Sequence, residues 1–284
     1  MDWKGGRRSN NVQDRRGTGM KAGGIGLGGI VIILIGLFFG VDLNTMLGLV
    51  QNAGGTSQYE QSAPSDAKSQ EQAQFVEVVL GANEDHWQQQ FSRYGIQFRA
   101  PTLVLFSNQT QSACGTASSM TGPFYCPADQ GIYIDLNFIQ DMRRMGASNN
   151  TEVVGNFALA YVIAHEFGHH ISNLTGVLPQ AHKAMSQAGN KAQANAISVA
   201  LELQADCYAG VWAANLSKYN INVSRADLEH GLQAASAVGD DRIMASAGRS
   251  INPENFTHGS AQQRMEWFAR GLQSGDMQSC DTFK

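Results

Sequence analysis

The chain has 284 residues, of which 43% are hydrophobic and 15% charged, with a formal net charge of −4. That length accommodates one or two domains. The mildly acidic balance excludes the basic surface that nucleic-acid binding requires. The four cysteines include no C-x-x-C pair of the kind found in zinc ribbons and thioredoxin-like sites.

Residues 1–21 are polar and basic, with Lys4, Arg7, Arg8, Arg15, Arg16 and Lys21 against Asp2 and Asp14. Residues 22–41 then carry no charge until Asp42. A helix of roughly 20 such residues spans the hydrocarbon core of a bilayer. The run is too long for a signal peptide and no A-x-A cleavage site follows it, which favours an uncleaved anchor. The basic flank argues against a Gly-rich buried helix of a soluble protein. Gly24 with Gly28, and Gly36 with Gly40, have the spacing that lets two membrane helices pack closely.

Because Lys and Arg resist translocation, residues 1–21 are expected in the cytoplasm and residues 22–41 across the membrane. Residues 42–74 are then expected to be a flexible linker. A single domain over residues 75–284 follows, placed outside the cytoplasmic membrane on the periplasmic side of a bacterial envelope. The linker assignment rests on the Gly, Ser and Gln content of residues 51–72, which is too poor in apolar residues to bury a core.

Within the domain, residues 75–80 with Trp87, Phe91 and Tyr94 predict an opening helix or two. Residues 101–106 and 131–136 read as short strands, and residues 124–127 as an interruption. From Thr151 the pattern turns helical. Phe157, Ala160, Tyr161, Ala164, Phe167 and Ile171 form a stripe at steps of three and four, with Gly176 and Pro179 marking its end. A second long helix is expected over residues 191–216. Further helices should start at Ser224 and Ser260, each with a capping-box partner three residues on, Asp227 and Gln263. The expected class is α+β, a small sheet followed by a mainly helical body.

The chemistry concentrates in His165-Glu166-Phe167-Gly168-His169. Two histidines four apart on a helix share a face and can reach one zinc ion. Glu166 projects beside the metal, where it can take a proton from a metal-activated water. A third ligand is needed. Gly at 172 and His at 175 would have marked a metzincin, but the chain has Ser172 and Thr175. Glu202 and Asp206, four apart in the next apolar helix, are costly to bury without partners. Glu202 is the expected third ligand. Asp206 is expected to orient an imidazole, that of His165, since metal-bound histidines commonly donate their second nitrogen to a carboxylate. The reverse assignment, Asp206 on the metal, stays open.

His258 is a candidate donor to the oxyanion of a tetrahedral intermediate, with His230 and Tyr208 as weaker choices. His170 reads as a polar-face residue, and His86 and His182 take no role. Arg264 and Glu266 read as surface or structural ion partners. Cys114 and Cys126 flank a Gly/Ser/Thr-rich loop and could close it, and a Cys207–Cys280 bridge would pin the tail to the metal-site helix. Both would suit an oxidising compartment, although four cysteines allow three pairings. Residues 115–122 could form a mobile rim or an edge that pairs with an extended peptide.

The pattern H-E-x-x-H followed on the next helix by E-x-x-x-D resembles the gluzincin peptidases. Residues 164–170, residues 202–212 and Thr257-His258-Gly259-Ser260 together resemble the bacterial neutral zinc metallopeptidase family of the YpfJ type. The resemblance covers nearly the whole chain, the anchor included. It implies a membrane-tethered, zincin-like metallopeptidase with one zinc ion and a peptide or protein substrate. The rival function is a non-proteolytic zinc-binding scaffold or adaptor of the envelope. A pure scaffold has no use for a base beside the metal, and Glu166 is there. A structural anchor without metal leaves the paired histidines and carboxylates unexplained.

Overall fold

The computed structural model describes residues 1–16, 67–138 and 156–284. The expected membrane anchor at residues 22–41, most of the expected linker and the start of the helix expected from Thr151 lie outside the described residues. Among those described, no helix is long and apolar enough to cross a membrane.

The class is α+β. Strands β1 (Val12–Asp14), β2 (Thr102–Phe106), β5 (Phe124–Cys126) and β6 (Gly131–Asp135) form one sheet in the order β1-β2-β6-β5. β1, β2 and β6 run parallel, and β5 returns antiparallel along β6. Strands β3 (Gln109–Ser112) and β4 (Gly115–Ser118) make a separate antiparallel hairpin. The sheet alternates as a two-residue period requires. Leu103, Leu105, Ile132 and Ile134 face the main helical core, while Val104, Phe106, Tyr133 and Cys126 pack with Ala117 of the hairpin. Residues 124–127, expected to interrupt, instead supply edge strand β5. Residues 115–122, expected as a mobile rim or as an edge that pairs with a peptide, hold β4 and a 3-10 turn at Ser119–Thr121.

Helix α1 (Ala67–Arg93) is a single 27-residue element rather than one or two shorter ones. It begins eight residues before the expected domain boundary, so residues 67–74 are helix and not linker. The larger departure concerns residues 1–16. They pack on the domain instead of standing apart from it: Trp3 meets Phe75 edge-on at 5.4 Å, and β1 joins the sheet. No local pattern marks such a segment, because its partners are remote in sequence.

The helical body comprises α2 (Asn156–Leu174), α3 (Val177–Ser186), α4 (Lys191–Ala213), α5 (Arg225–Ala237), α6 (Asp240–Ser246) and α7 (Ala261–Ser274). Ser224 and Ser260 cap α5 and α7 with complete capping boxes to Asp227 and Gln263. Gly176, at φ 79°, sits between α2 and α3. Pro179, read as part of a terminator, lies instead in the first turn of α3, where the missing N–H costs nothing. The disulfides are Cys114–Cys126, between the hairpin turn and β5, and Cys207–Cys280, between α4 and the C-terminal segment.

His86, on α1, is 1% exposed, with its Nδ1 3.3 Å from the Tyr219 hydroxyl. Burial, aided by Lys218 and Arg93, pushes its pKa down to about 3. An unfolded histidine titrates near 6.5. Below that pH the unfolded chain takes up a proton that the folded chain refuses, so stability falls as the medium becomes acidic. The slope is about 1.4 kcal/mol per pH unit. Urea unfolding of a His86→Gln variant is therefore expected to lose less stability than the parent between about pH 7 and about pH 5. Equal losses would show that His86 is protonated in the folded state.

Candidate metal centre

Helix α2 is buried along most of its length, and Tyr161, His165 and His169 fall on one stripe of it at successive steps of four. Opposite lies α4. Its approach is close at Gly168, inside the histidine motif. A Cβ there would stand 2.8 Å from the Ala205 Cα, so the two backbones meet at this residue. The contact brings Glu202 and Asp206 level with the histidines.

The Glu202 carboxylate spans both imidazoles, with Oε2 3.1 Å from His165 Nε2 and Oε1 3.3 Å from His169 Nε2. Among the described residues, His165, His169 and Glu202 can each offer one ligand atom with all three atoms within 4.8 Å of one another. Tetrahedral zinc with ligands at about 2.0–2.2 Å holds neighbouring ligand atoms about 3.3–3.6 Å apart. The imidazole–carboxylate distances lie close to that range, and two imidazoles with one carboxylate are a donor set that suits zinc. The two imidazole rings stand 4.9 Å apart and nearly perpendicular.

Asp206 is fully buried and receives four donors. Its Oδ1 accepts from His165 Nδ1 at 2.8 Å, the Tyr161 hydroxyl at 2.5 Å and Arg264 Nη2 at 3.0 Å, and its Oδ2 accepts from Arg264 Nε at 2.8 Å. A proton on His165 Nδ1 shared with Asp206 would leave Nε2 as the lone pair for a metal. Burial would raise the Asp206 pKa, but Arg264 and His165 outweigh it and bring it to about 2. Arg264 is 4% exposed and reaches down from α7. It is an ion partner, as its sequence context suggests, but a deeply buried one and not a surface one. Glu266, on the same helix, accepts from Gln262 at an exposed site.

Glu166 is 7% exposed, and burial raises its pKa against the opposing pull of His165 and His169. Burial acts the same way on Glu202, but His169, His258 and His165 hold it well below the ordinary glutamate value. A low Glu202 and a raised Glu166 divide the two carboxylates into one suited to a cation and one suited to a proton.

His258 lies in the loop before α7 with its side chain 40% exposed, and Glu202 and Asp240 raise its pKa against the effect of burial. Its loop is held by Asp240, whose Oδ2 accepts from the backbone N–H groups of Thr257, His258 and Gly259 at 2.6–3.0 Å. Asp240 Oδ1 lies 3.3 Å from His258 Nδ1. Ser198 and Asn195 tie the same loop to α4 through the carbonyls of Thr257 and Glu254.

Tyr208 is not brought to the cluster. It packs edge-on against Trp87 and lines a cavity of about 770 Å³ with Gln204, Ala181 and Phe283, on the face of α4 opposite Glu202 and Asp206. Nothing connects His230 with the cluster among the described contacts. His170 is fully buried. It donates from Nε2 to the Arg99 carbonyl at 2.7 Å and accepts at Nδ1 from the Tyr125 hydroxyl at 3.0 Å. It therefore pins edge strand β5 to the metal-site helix and is no polar-face residue. Burial lowers the pKa of His182.

The sequence did not assign the partners of three supporting residues, although Arg264 was read as an ion partner. Tyr161 is one turn before His165 on the same stripe and was legible there as a position, though not as a partner of Asp206. Arg264 and Asp240 arrive from elements remote in sequence, and no spacing announces them.

The family described as "Putative neutral zinc metallopeptidase" matches residues 1–283. The chain is 40% identical over 295 residues to "Uncharacterized protein YpfJ" of Escherichia coli (strain K12), covering all of this chain and 99% of that protein. It is 45% identical over 195 residues to "Uncharacterized protein Rv2575" of Mycobacterium tuberculosis (strain ATCC 25618 / H37Rv), covering 66% of this chain and 63% of that one. No solved structure matches the chain.

Proposed function

The chain belongs to this zinc metallopeptidase family, and from that premise we propose that it hydrolyses peptide bonds with one zinc ion held by His165, His169 and Glu202 and with Glu166 as the base. The observation that carries the reading is the convergence of three ligand atoms within 4.8 Å, with a buried carboxyl adjoining His165 in sequence.

Zinc in such a site supplies Lewis acidity, polarising a carbonyl and lowering the pKa of water. The remaining work belongs to the protein. Glu166 takes the proton of the attacking water and passes it to the departing amine, a role favoured by its raised pKa. Asp206 fixes the His165 ring and its tautomer. Tyr161 and Arg264 hold Asp206 in turn. His258, steadied by Asp240, donates a hydrogen bond to the oxyanion that forms as the carbonyl is attacked. The two disulfides support an oxidising compartment for the domain.

The test is zinc content and casein cleavage of the full chain, since residues 1–16 are part of the fold. One zinc per chain is expected, with cleavage. Glu202→Ala is expected to lose both while the fold persists. Zinc without cleavage of any broad substrate would favour the non-proteolytic scaffold. A folded wild-type chain that binds no zinc would overturn the reading.

A further inference from the structure

Residues 1–16 are built into the body of the protein by contacts that a free tail does not make. The Arg7 guanidinium donates to Asp85 at 2.8–3.0 Å, to Glu84 at 2.7 Å and to the Gly81 carbonyl at 3.0 Å. Glu84 is 7% exposed and also accepts from Ser9 and Asn11, both at 2.7 Å. At Gly81 the two backbones nearly touch, and a Cβ would lie 2.4 Å from the Arg7 carbonyl oxygen. β1 pairs in register with β2, Val12 opposite Leu103.

The stretch ends at Arg16, whose side chain is 6% exposed. It donates to Asp14 at 2.6–2.9 Å and to the Ser69 carbonyl and hydroxyl at 3.0 and 2.9 Å. Arg16 thus ties the N-terminal segment to the first turn of α1. The apolar run 22–41 falls between Arg16 and Ser69 in the sequence.

The charges that would hold residues 1–21 in the cytoplasm are largely matched within the fold. Lys4 approaches Glu71 at 3.7 Å and Arg8 approaches Glu77 at 3.8 Å, alongside the Arg7 and Arg16 pairs. Orientation by basic flanks presumes unpaired charge on a segment separate from the domain, and this segment is neither. A single crossing between residue 16 and residue 67 would put Arg7 and Glu84, or β1 and β2, on opposite faces of a bilayer.

We propose that residues 1–16 lie on the same side of the membrane as the metal domain, so that the N-terminus is not left in the cytoplasm while the domain stands outside it. The disulfides then support an oxidising compartment for both parts. The sheet order sets β1 at one edge and β5, pinned to α2 by His170, at the other, about 14 Å apart at the usual strand spacing.

The experiment is labelling with a membrane-impermeant maleimide in intact spheroplasts expressing the full chain. All four native cysteines are in disulfides, so a single introduced cysteine reports alone. Lys4→Cys tests the N-terminal segment and Lys284→Cys the domain; these side chains are 75% and 84% exposed, so neither change disturbs packing. Equal labelling of the two before lysis, with no further gain after it, is the expected result. Labelling of one before lysis and of the other only after it would overturn the proposal. So would protection of both until lysis, which would put the pair in the reducing compartment. None of these outcomes depends on zinc or on peptidase activity.

Discussion

Glu166→Gln is expected to leave zinc bound at one ion per chain while casein cleavage falls by about 10²–10⁴-fold, the usual contribution of a positioned general base. Gln is isosteric with Glu, so the helix and the neighbouring His165 ligand keep their places. What disappears is a carboxylate able to accept a proton. The raised pKa of this buried group adds a second readout. The base works only when ionised, so kcat/KM should fall with decreasing pH through a limb above the ordinary glutamate range, and that limb should vanish in the variant. Zinc content, kcat/KM across pH and a thermal melt together decide the matter. A folded, zinc-loaded Glu166→Gln protein with wild-type cleavage would exclude Glu166 as the base. Loss of zinc in that variant would assign the residue to metal binding instead.

Arg264→Leu is expected to damage both the fold and the metal site. Arg264 and Asp206 are buried, and their bond is bidentate. Removing one partner of such a pair strands a charge away from water, at a cost of about 3–5 kcal/mol. Asp206 would keep Tyr161 and His165 as donors but lose the charge that holds it ionised and in place. The His165 ring would be less firmly held, and zinc affinity should fall by about 10–100-fold, as for other losses behind a metal-bound histidine. Arg264→Lys keeps the charge but not the two-pronged geometry, so it should recover part of the stability and less of the affinity. Urea unfolding of the zinc-free protein and a competition titration for zinc separate the two effects. A variant that is destabilised yet binds zinc with parental affinity would reduce Arg264 to a strut between helices.

The parts of this protein that were legible in its sequence are those carried by short-range geometry. Histidines four apart on an apolar helix must share a face, and so must Glu202 and Asp206. A serine followed three residues later by Asp227 or Gln263 caps its own helix, because donor and acceptor lie within one turn. Strands at residues 102–106 and 131–135 are readable from apolar β-type composition, and in the second case from alternation, which a two-residue period imposes locally. Tertiary packing decided everything that joins remote segments. Glu202 spans both imidazoles only because Gly168 lets α2 and α4 touch. Arg264 reaches Asp206 from α7, Asp240 steadies His258 from α6, and His170 is turned inward to hold β5. Residues 1–16 show the division most sharply. By themselves they are a polar, basic tail with no periodic pattern. Only the buried Glu84, the open edge of β2 and the small surface at Gly81 make them part of the fold, and none of those features is written within the sixteen residues.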